Sequence, residues 1–402
     1  MNDRISTGMM FSQSVSLMLG KQSKINHLEQ QIATGSKIVS AKDDPVAAGT
    51  AVGLDRVVAG LEQLGKNANN AQNRLGLQEN ALAQANELMT RAVELSIQAN
   101  TPVPGNTDLK AIVSELKTIQ DSLLSLANSK DGSGRYLFGG SNDSDAPFLK
   151  AGGTVSYVGD QTQRQVEVAP GQLVNDALPG SEIFMRIRTG DGTVDASAAA
   201  GNTGSGLLTS VSRDGSADWD GGALNVRFTA AGEGAYEVLD ATGAVVATGT
   251  HTKGEDIVVG GVRLRIEGAP AAGDRFDVVA SSSRDIFATM DTLIGALESD
   301  PQTAADRTGM QNLLQSSMRD ITRASENMID ARAKGGAQLA AIDDAASARD
   351  ATAVTVKSTL STLRDLDYAD AIGQYKLENA ALQAAQTIFS QMQAMSLFNS
   401  IR

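Results

Sequence analysis

The apolar residues of this chain keep a helical period at both ends and a strand period in the middle, and that switch constrains the fold more than any other feature. Steps of three and four place side chains along one stripe of a helix, whereas steps of two place them on one face of a strand. A chain that reads helix, strand, helix has to bring its helical halves together from opposite ends and carry the strands as an insertion. The expected class is α+β and multidomain: a long antiparallel helical bundle from both chain ends with an inserted all-β domain. The expected divisions are 1–44 and 367–402 for the terminal helices, 45–140 and 284–366 for the two halves of a bundle domain, and 141–283 for the inserted β domain.

The last stretch, Ala371 to Arg402, carries only Lys376, Glu378 and Arg402 as charges, while Ala381, Ala385, Ile388, Met392 and Met395 recur in steps of four and three. That is the spacing of a helical seam, and Phe398 is counted in it. A second row, Tyr368, Tyr375, Leu382 and Phe389, repeats every seven residues and broadens the stripe beyond what one partner helix needs. Each large apolar side chain left in water forgoes about 1.5–3 kcal/mol, so the segment requires apolar surface from elsewhere in the chain or from other copies. Phe11, Val15, Met18, Ile25, Leu28 and Ile32 form a similar stripe near the start, followed by Gly35 as a helix stop. Two such stripes suggest mutual pairing. An intramolecular bundle and a seam between copies both remain open here.

Between these ends the punctuation is explicit. Asp44 is placed to accept from the free amides of a first helical turn while Pro45 takes the first helical position, where its missing N–H costs nothing. The apolar register that follows runs from Leu54 nearly to Asn100 and ends at the breaker Thr101-Pro102-Val103-Pro104-Gly105. A second helix carries Leu109, Ile112, Leu116, Ile119, Leu123 and Leu126. Helical period returns with Ile286, Met290, Leu293, Ile294 and Leu297, breaks at Asp300-Pro301, and resumes behind Thr303 as a cap. Gly335-Gly336 then marks a kink or a close helix approach within a pattern that continues to Leu363.

The middle reads as strands. Val262-Arg263-Leu264-Arg265-Ile266 alternates apolar with charged residues, and Gly260-Gly261 joins it to Ile257-Val258-Val259 as a two-residue hairpin. Tyr236 to Leu239 and Val245-Val246 flank Asp240 to Gly243 as a second hairpin, and Phe276 to Val279 is a further strand. Thr189 to Gly222 is rich in Gly, Ser and Ala and is expected to be mostly loop.

Composition narrows the function. The net charge is −13, which argues against nucleic acid or anionic lipid as the main partner. The charge is uneven: residues 141–283 hold 19 acidic and 10 basic side chains, whereas residues 1–140 hold 13 of each, so the middle reads as solvated and the ends as ready to associate. There is no cysteine, hence no disulfide and no thiolate nucleophile, and only two histidines, His27 and His251. No His-Glu-x-x-His, phosphate-binding glycine loop or Gly-x-Ser-x-Gly occurs. Asp214 to Gly221 has part of a calcium-loop order, but Ser216 and Arg227 occupy ligand positions, and a solvated loop is the better reading. Asp43-Asp44, Glu255-Asp256 and Asp343-Asp344 are adjacent carboxylates, and the first pair already serves a helix start. No catalytic, cofactor or metal residue is expected. No apolar run approaches the roughly 20 residues of a membrane span, and Met1-Asn2-Asp3-Arg4 does not open a secretory signal, so any export is expected by another route.

Gln31 through Pro45, with Ala33-Thr34-Gly35-Ser36-Lys37 and Ala41-Lys42-Asp43-Asp44-Pro45 at its two ends, resembles the N-terminal signature of the bacterial flagellin superfamily, and Leu366-Asp367-Tyr368-Ala369-Asp370 resembles its C-terminal counterpart. Arg4 to Phe11, Gly134-Arg135-Tyr136-Leu137-Phe138-Gly139-Gly140 with Ala146-Pro147-Phe148, and Ala380 to Phe398 are more similar to the hook-associated junction branch of that superfamily than to filament flagellin. The likeness covers about residues 1–150 and 284–402. It implies a flagellin-like arrangement in which terminal helices stack into the inner tube of the flagellum, with the bundle outside them and the β domain outermost. It also implies export through the flagellar type III channel and an export chaperone at the C-terminal helix. The implied neighbours are the first hook-associated protein on one side and flagellin on the other. Filament flagellin, and a flagellar scaffold displaying a glycan-binding β module, stay open as alternatives. In each case the terminal stripes are expected to be mobile in the monomer and to order when neighbouring copies supply the missing apolar surface.

Overall fold

The computed structural model describes residues 7–100, 106–215, 218–232 and 234–400, with side chains described over 9–100, 108–215, 218–232 and 234–393. Helices α1 (Thr7–Thr34), α2 (Pro45–Ala99) and α3 (Asn106–Ala127) come first, strands fill the middle, and α4 (Ile286–Glu298), α5 (Ala304–Arg364) and α6 (Tyr368–Ser400) close the chain. The breaker at 101–105 lies outside the described residues.

The helix starts are made by the side chains the sequence supplies. Asp44 Oδ1 accepts from Val46 N at 3.1 Å and Ala47 N at 2.8 Å, with Pro45 as the first residue of α2. Asp285 accepts from Ala288 N at 2.7 Å to open α4. At α5, Thr303 Oγ1 accepts from Asp306 N while Asp306 Oδ2 accepts from Thr303 N, at 3.1 and 2.9 Å, so two amides without helical partners are satisfied reciprocally. α5 then runs 61 residues without interruption through Gly335-Gly336, where a kink or close approach was expected. Nothing stands within 4 Å of where a Cβ would be at either glycine, and the flanking Ala, Arg, Lys, Gln and Leu are strong enough helix formers to carry the backbone across.

The chain divides into two compact units, Asn67–Asp344 and Met1–Lys66 with Ala345–Arg402. The first contains two separate hydrophobic cores. In one, Leu82, Met89 and Leu95 of α2 pack with Leu116 and Leu123 of α3, Phe287 and Met290 of α4, and Leu314, Ile321 and Met328 of α5. Short pairs decorate this core: β1 (Phe148–Ala151) with β2 (Thr154–Tyr157), β3 (Gln165–Ala169) with β4 (Gln172–Asn175), and β5 (Ile187–Arg188) with β14 (Ser283–Arg284). Phe148, Val155, Phe184 and Ile187 belong to the helical core, so the early part of the inserted region packs as an extension of the bundle.

The other core is a two-sheet sandwich. One sheet is ordered β10 (Val245–Thr250), β9 (Ala235–Asp240), β8 (Leu224–Phe228), β13 (Arg275–Ala280), β6 (Val194–Ala198), and the second β11 (Asp256–Val259), β12 (Val262–Glu267), β7 (Leu207–Arg213). Val262, Leu264 and Ile266 point inward while Arg263, Arg265 and Glu267 face out, and they meet Val226, Phe228, Val238, Phe276 and Val278. Both expected hairpins are present, with Val259 opposite Val262 and β9 antiparallel to β10. The expectation of loop over Thr189 to Gly222 is corrected by β6 and β7, which lie inside it. On β7 the buried residues are Leu208 and Val211, three apart, because a bulge leaves one extra residue between the partners of Arg265 and Ile266. The bulge breaks the two-residue alternation by which a strand is recognised.

Candidate assembly surface

In the unit that joins the chain ends, α1 and α6 lie side by side and antiparallel. The ring of Phe11 is 5.1 Å from that of Phe389, Tyr375 Oη donates to Glu29 Oε1 at 3.1 Å, and at the base Leu366 N donates to Gly35 O at 3.0 Å and Lys37 N to Arg364 O at 2.7 Å. This register sets Met18 level with Leu382, Ile25 with Tyr375, and Ile32 with Tyr368. Gly35 has φ +68°, a conformation that favours glycine, and the Tyr368 hydroxyl lies 2.8 Å from where a Cβ would stand.

Each helix therefore offers the other two rows of seven-residue period. On α1 they are Phe11, Met18, Ile25, Ile32 and, three residues on, Ser14, Lys21, Leu28. On α6 they are Tyr368, Tyr375, Leu382, Phe389 and Ala371, Glu378, Ala385, Met392. Ile25, Leu28, Ala371 and Leu382 are buried, and Met18, Ile32, Ala385, Phe389 and Met392 are half-buried. The seam also contains charge. Lys21 Nζ donates to Glu378 Oε2 at 2.5 Å and Lys24 Nζ to Oε1 at 2.7 Å, and the Glu378 side chain is only 7% exposed. Its hydrogen bonds to Lys21 first, then to Lys24, hold its carboxyl below the usual glutamate range.

The apolar row read from the sequence on α6 is thus divided by the fold. Ala385 and Met392 fall on the second of the two rows that face α1, whereas Ile388 is 59% exposed and Leu377, eleven residues earlier and on the same face, 70%. On α1, Phe11 is half-open, and Leu17 is 63% exposed. Met395 and Phe398 lie outside the residues whose side chains are described. The terminal stripes meet each other inside one chain, and the apolar flank beside their seam is left uncovered. Sequence reasoning missed Lys21, Lys24 and Glu378, although the seven-residue spacing from Leu28 to Lys21 and from Ala385 to Glu378 places charges on seam positions.

Elsewhere the charged clusters are structural. Asp43 Oδ2 accepts from Val39 N at 3.0 Å and Ser40 N at 2.8 Å, completing with Asp44 the turn into α2. Arg74, 4% exposed, lies among Asp131, Asp143 and Asp176 at 3.0 to 4.0 Å and donates to Tyr136 O at 2.7 Å, tying α2 to the loop that carries Gly134 to Gly140. Asp256 is held by Arg263 and Arg265 at 3.0 and 2.7 Å. Among the described residues no group of three or more His, Asp or Glu could hold a metal ion, and no helix is long and apolar enough to cross a membrane.

Residues 5–143 match the family described as the bacterial flagellin N-terminal helical region. The chain is 58% identical to FlgL of Xanthomonas campestris, whose crystal structure superposes with a TM-score of 0.72 over 77% of this chain and 99% of that one. It is 24% identical over 396 residues to the flagellar hook-associated protein 3 of Salmonella typhimurium, covering 98% of both chains. The flagellin of Escherichia coli is 31% identical over 102 residues, a quarter of this chain and a fifth of that one.

Proposed function

This chain belongs to the FlgL family of flagellar hook-associated proteins, and from that premise we propose that it is a structural junction protein, adapting the hook to the flagellin filament by helical self-assembly of its terminal helices. On this reading the first hook-associated protein is its neighbour on the hook side and flagellin on the filament side. Residues 1–44 and 367–402 act as the inner-tube segments, 45–140 and 284–366 as the bundle outside them, and 141–283 as the outward region. The protein works outside the cell, reaches the flagellum through the type III route with a chaperone at its C-terminal helix, and performs no chemistry.

The observation that carries this reading is the uncovered flank of the α1–α6 pair. Leu17, Leu377 and Ile388 are all more than half exposed, and each forgoes about 1.5–3 kcal/mol until something apolar covers it. One heterologous contact repeated between successive copies closes a ring or continues a helix, and repetition multiplies a modest energy per interface. Filament flagellin is disfavoured as the reading, because the likeness to hook-associated protein 3 runs over 98% of the chain while the likeness to the flagellins of Escherichia coli and Salmonella derby covers 25% and 43% of it.

Deleting the gene tests the proposal. The expected result is hooks without filaments and flagellin shed into the medium, restored by the native gene. Normal filaments after deletion would overturn it. Long filaments grown from this purified chain alone would return the assignment to flagellin.

A further inference from the structure

The two apolar rows that pair α1 with α6 are nearly self-similar. Phe11, Met18, Ile25 and Ile32 offer an apolar side chain every seven residues, as do Tyr368, Tyr375, Leu382 and Phe389, so a slip of seven residues still matches apolar to apolar. Apart from the Phe11–Phe389 ring contact and the exposed Tyr375–Glu29 hydrogen bond, these rows do little to distinguish the native register, or α1 of the same chain, from a slipped or foreign partner. The neighbouring rows do. The native pairing sets Ser14 level with Ala385, Lys21 with Glu378, and Leu28 with Ala371, and the one charged layer is closed by Lys21 at 2.5 Å and Lys24 at 2.7 Å.

A slip of seven residues in one direction would put the Glu378 carboxylate against Leu28, which is buried, and in the other against Ser14 and Leu17. Lys21 would meanwhile face Ala371 or Ala385. Two α6 helices pairing with each other would bury Glu378 with no ammonium group at its own level, since Lys376 and Arg402 are the only other charges from Ala371 onward. Each wrong pairing takes the Glu378 carboxylate out of the clamp of Lys21 and Lys24 while keeping it in the seam, and a desolvated carboxylate that loses its partners costs more than the native pair gains. The hydrogen bonds at Gly35, Lys37, Arg364 and Leu366 fix the base of the native pair, but they act only within one chain and lie fourteen residues along α1 from Lys21. They cannot reject a copy of α6 offered by another molecule.

We propose that Glu378, clamped by Lys21 and Lys24, is the specificity residue of the terminal coil, selecting α1 in the native register as the partner of α6 and rejecting slipped and α6–α6 pairings.

The cysteine-free chain makes the test direct. In the full-length protein, the pair Phe11→Cys with Phe389→Cys reports the native level, Met18→Cys with Phe389→Cys reports a slip of seven, and Phe389→Cys alone reports α6–α6 contact as a covalent dimer. With the native charges, oxidation should give the native cross-link in large excess. In Glu378→Leu, which keeps the helix apolar and foldable, the slipped and dimeric products should rise about ten-fold relative to the native one. The reversed set Lys21→Glu, Lys24→Glu with Glu378→Lys should restore the native pattern, which a merely structural contribution of these side chains would not do. An unchanged pattern in Glu378→Leu, or failure of the reversed set to restore it, overturns the proposal. Absence of the native cross-link with native charges overturns the pairing itself, whereas the gene-deletion result bears only on the role at the junction.

Discussion

Gly140 sits at φ +70°, and a Cβ there would collide with the carboxylate and carbonyl of Asp160. Tyr157 closes the same corner, its hydroxyl 3.0 Å from Phe138 O and 2.7 Å from Asp160 O, and burial pushes the hydroxyl pKa up to about 12. Phe138 beside it packs edge-on to Phe184 at 5.3 Å. The Gly134 to Gly140 motif, one of the three stretches that resemble the junction branch, is therefore a tight turn carrying an aromatic core residue. Gly140→Ala is expected to cost more than about 1 kcal/mol, since both φ and space forbid a methyl group, and to lower the melting temperature by a few degrees in calorimetry; an unchanged melting curve would mean that the turn relaxes freely. Glu378 gives a second test at this scale. Its folded pKa lies below its ordinary value of 4.5, so its contribution is complete above that value and is lost as pH falls through the lower folded value. Acidification below about pH 4.5 is expected to loosen the α1–α6 pair, seen as loss of the native cross-link, and Glu378→Gln should remove that part of the response.

At the scale of elements, α6 presents seam rows to α1 and a flank to its surroundings, and substitutions should separate them. Leu382→Asp places a carboxylate in the buried seam and should cost several kcal/mol, reducing helix content in the free chain. Ile388→Asp lands on an open face, should leave the pair and its helix content intact, and should still prevent assembly and motility. Equal loss of helix content in both variants would show that the two faces are not distinct. Much of this was legible in the sequence: the long helices, their caps at Asp44 and Thr303, and the apolar rows all follow from spacing and side-chain chemistry, whereas the cap at Asp285 was not read. What could not be read was which row faced inward, because Ala385 and Ile388 differ by less than a helical turn and only the register with α1 places them. β6 and β7 were hidden for another reason. Small residues and a bulge erase the alternation, and these strands are secured by partners far away in sequence, such as Val278 opposite Ala196 and Leu264 opposite Val211.

On the scale of the whole molecule, the Asn67–Asp344 unit holds two cores whose junction is largely polar. Side chains of α5 reach the sandwich through its backbone: Asn312 donates to Gly206 O at 2.9 Å and accepts from Leu208 N at 2.9 Å, Arg319 donates to Ala196 O at 2.9 Å, Asp320 accepts from Gly190 N at 3.2 Å, and Arg323 donates to Gly190 O at 3.2 Å. These contacts satisfy groups that water satisfies almost as well when the partner is removed. The sandwich core, by contrast, is complete without any helical residue, since Val226, Phe228, Val238, Val262, Leu264, Ile266, Phe276 and Val278 come from its own strands. A fragment of residues 190–282 is therefore expected to fold alone, with dispersed amide resonances and one cooperative thermal transition. The corresponding start at residue 141 should instead give a longer fragment with a frayed N-terminal part, because Phe148, Val155 and Phe184 would leave their helical partners behind. If the shorter fragment binds hydrophobic dye and melts without cooperativity, the sandwich depends on α5 for its stability, and the polar junction is a supporting wall of one structure rather than a boundary between two.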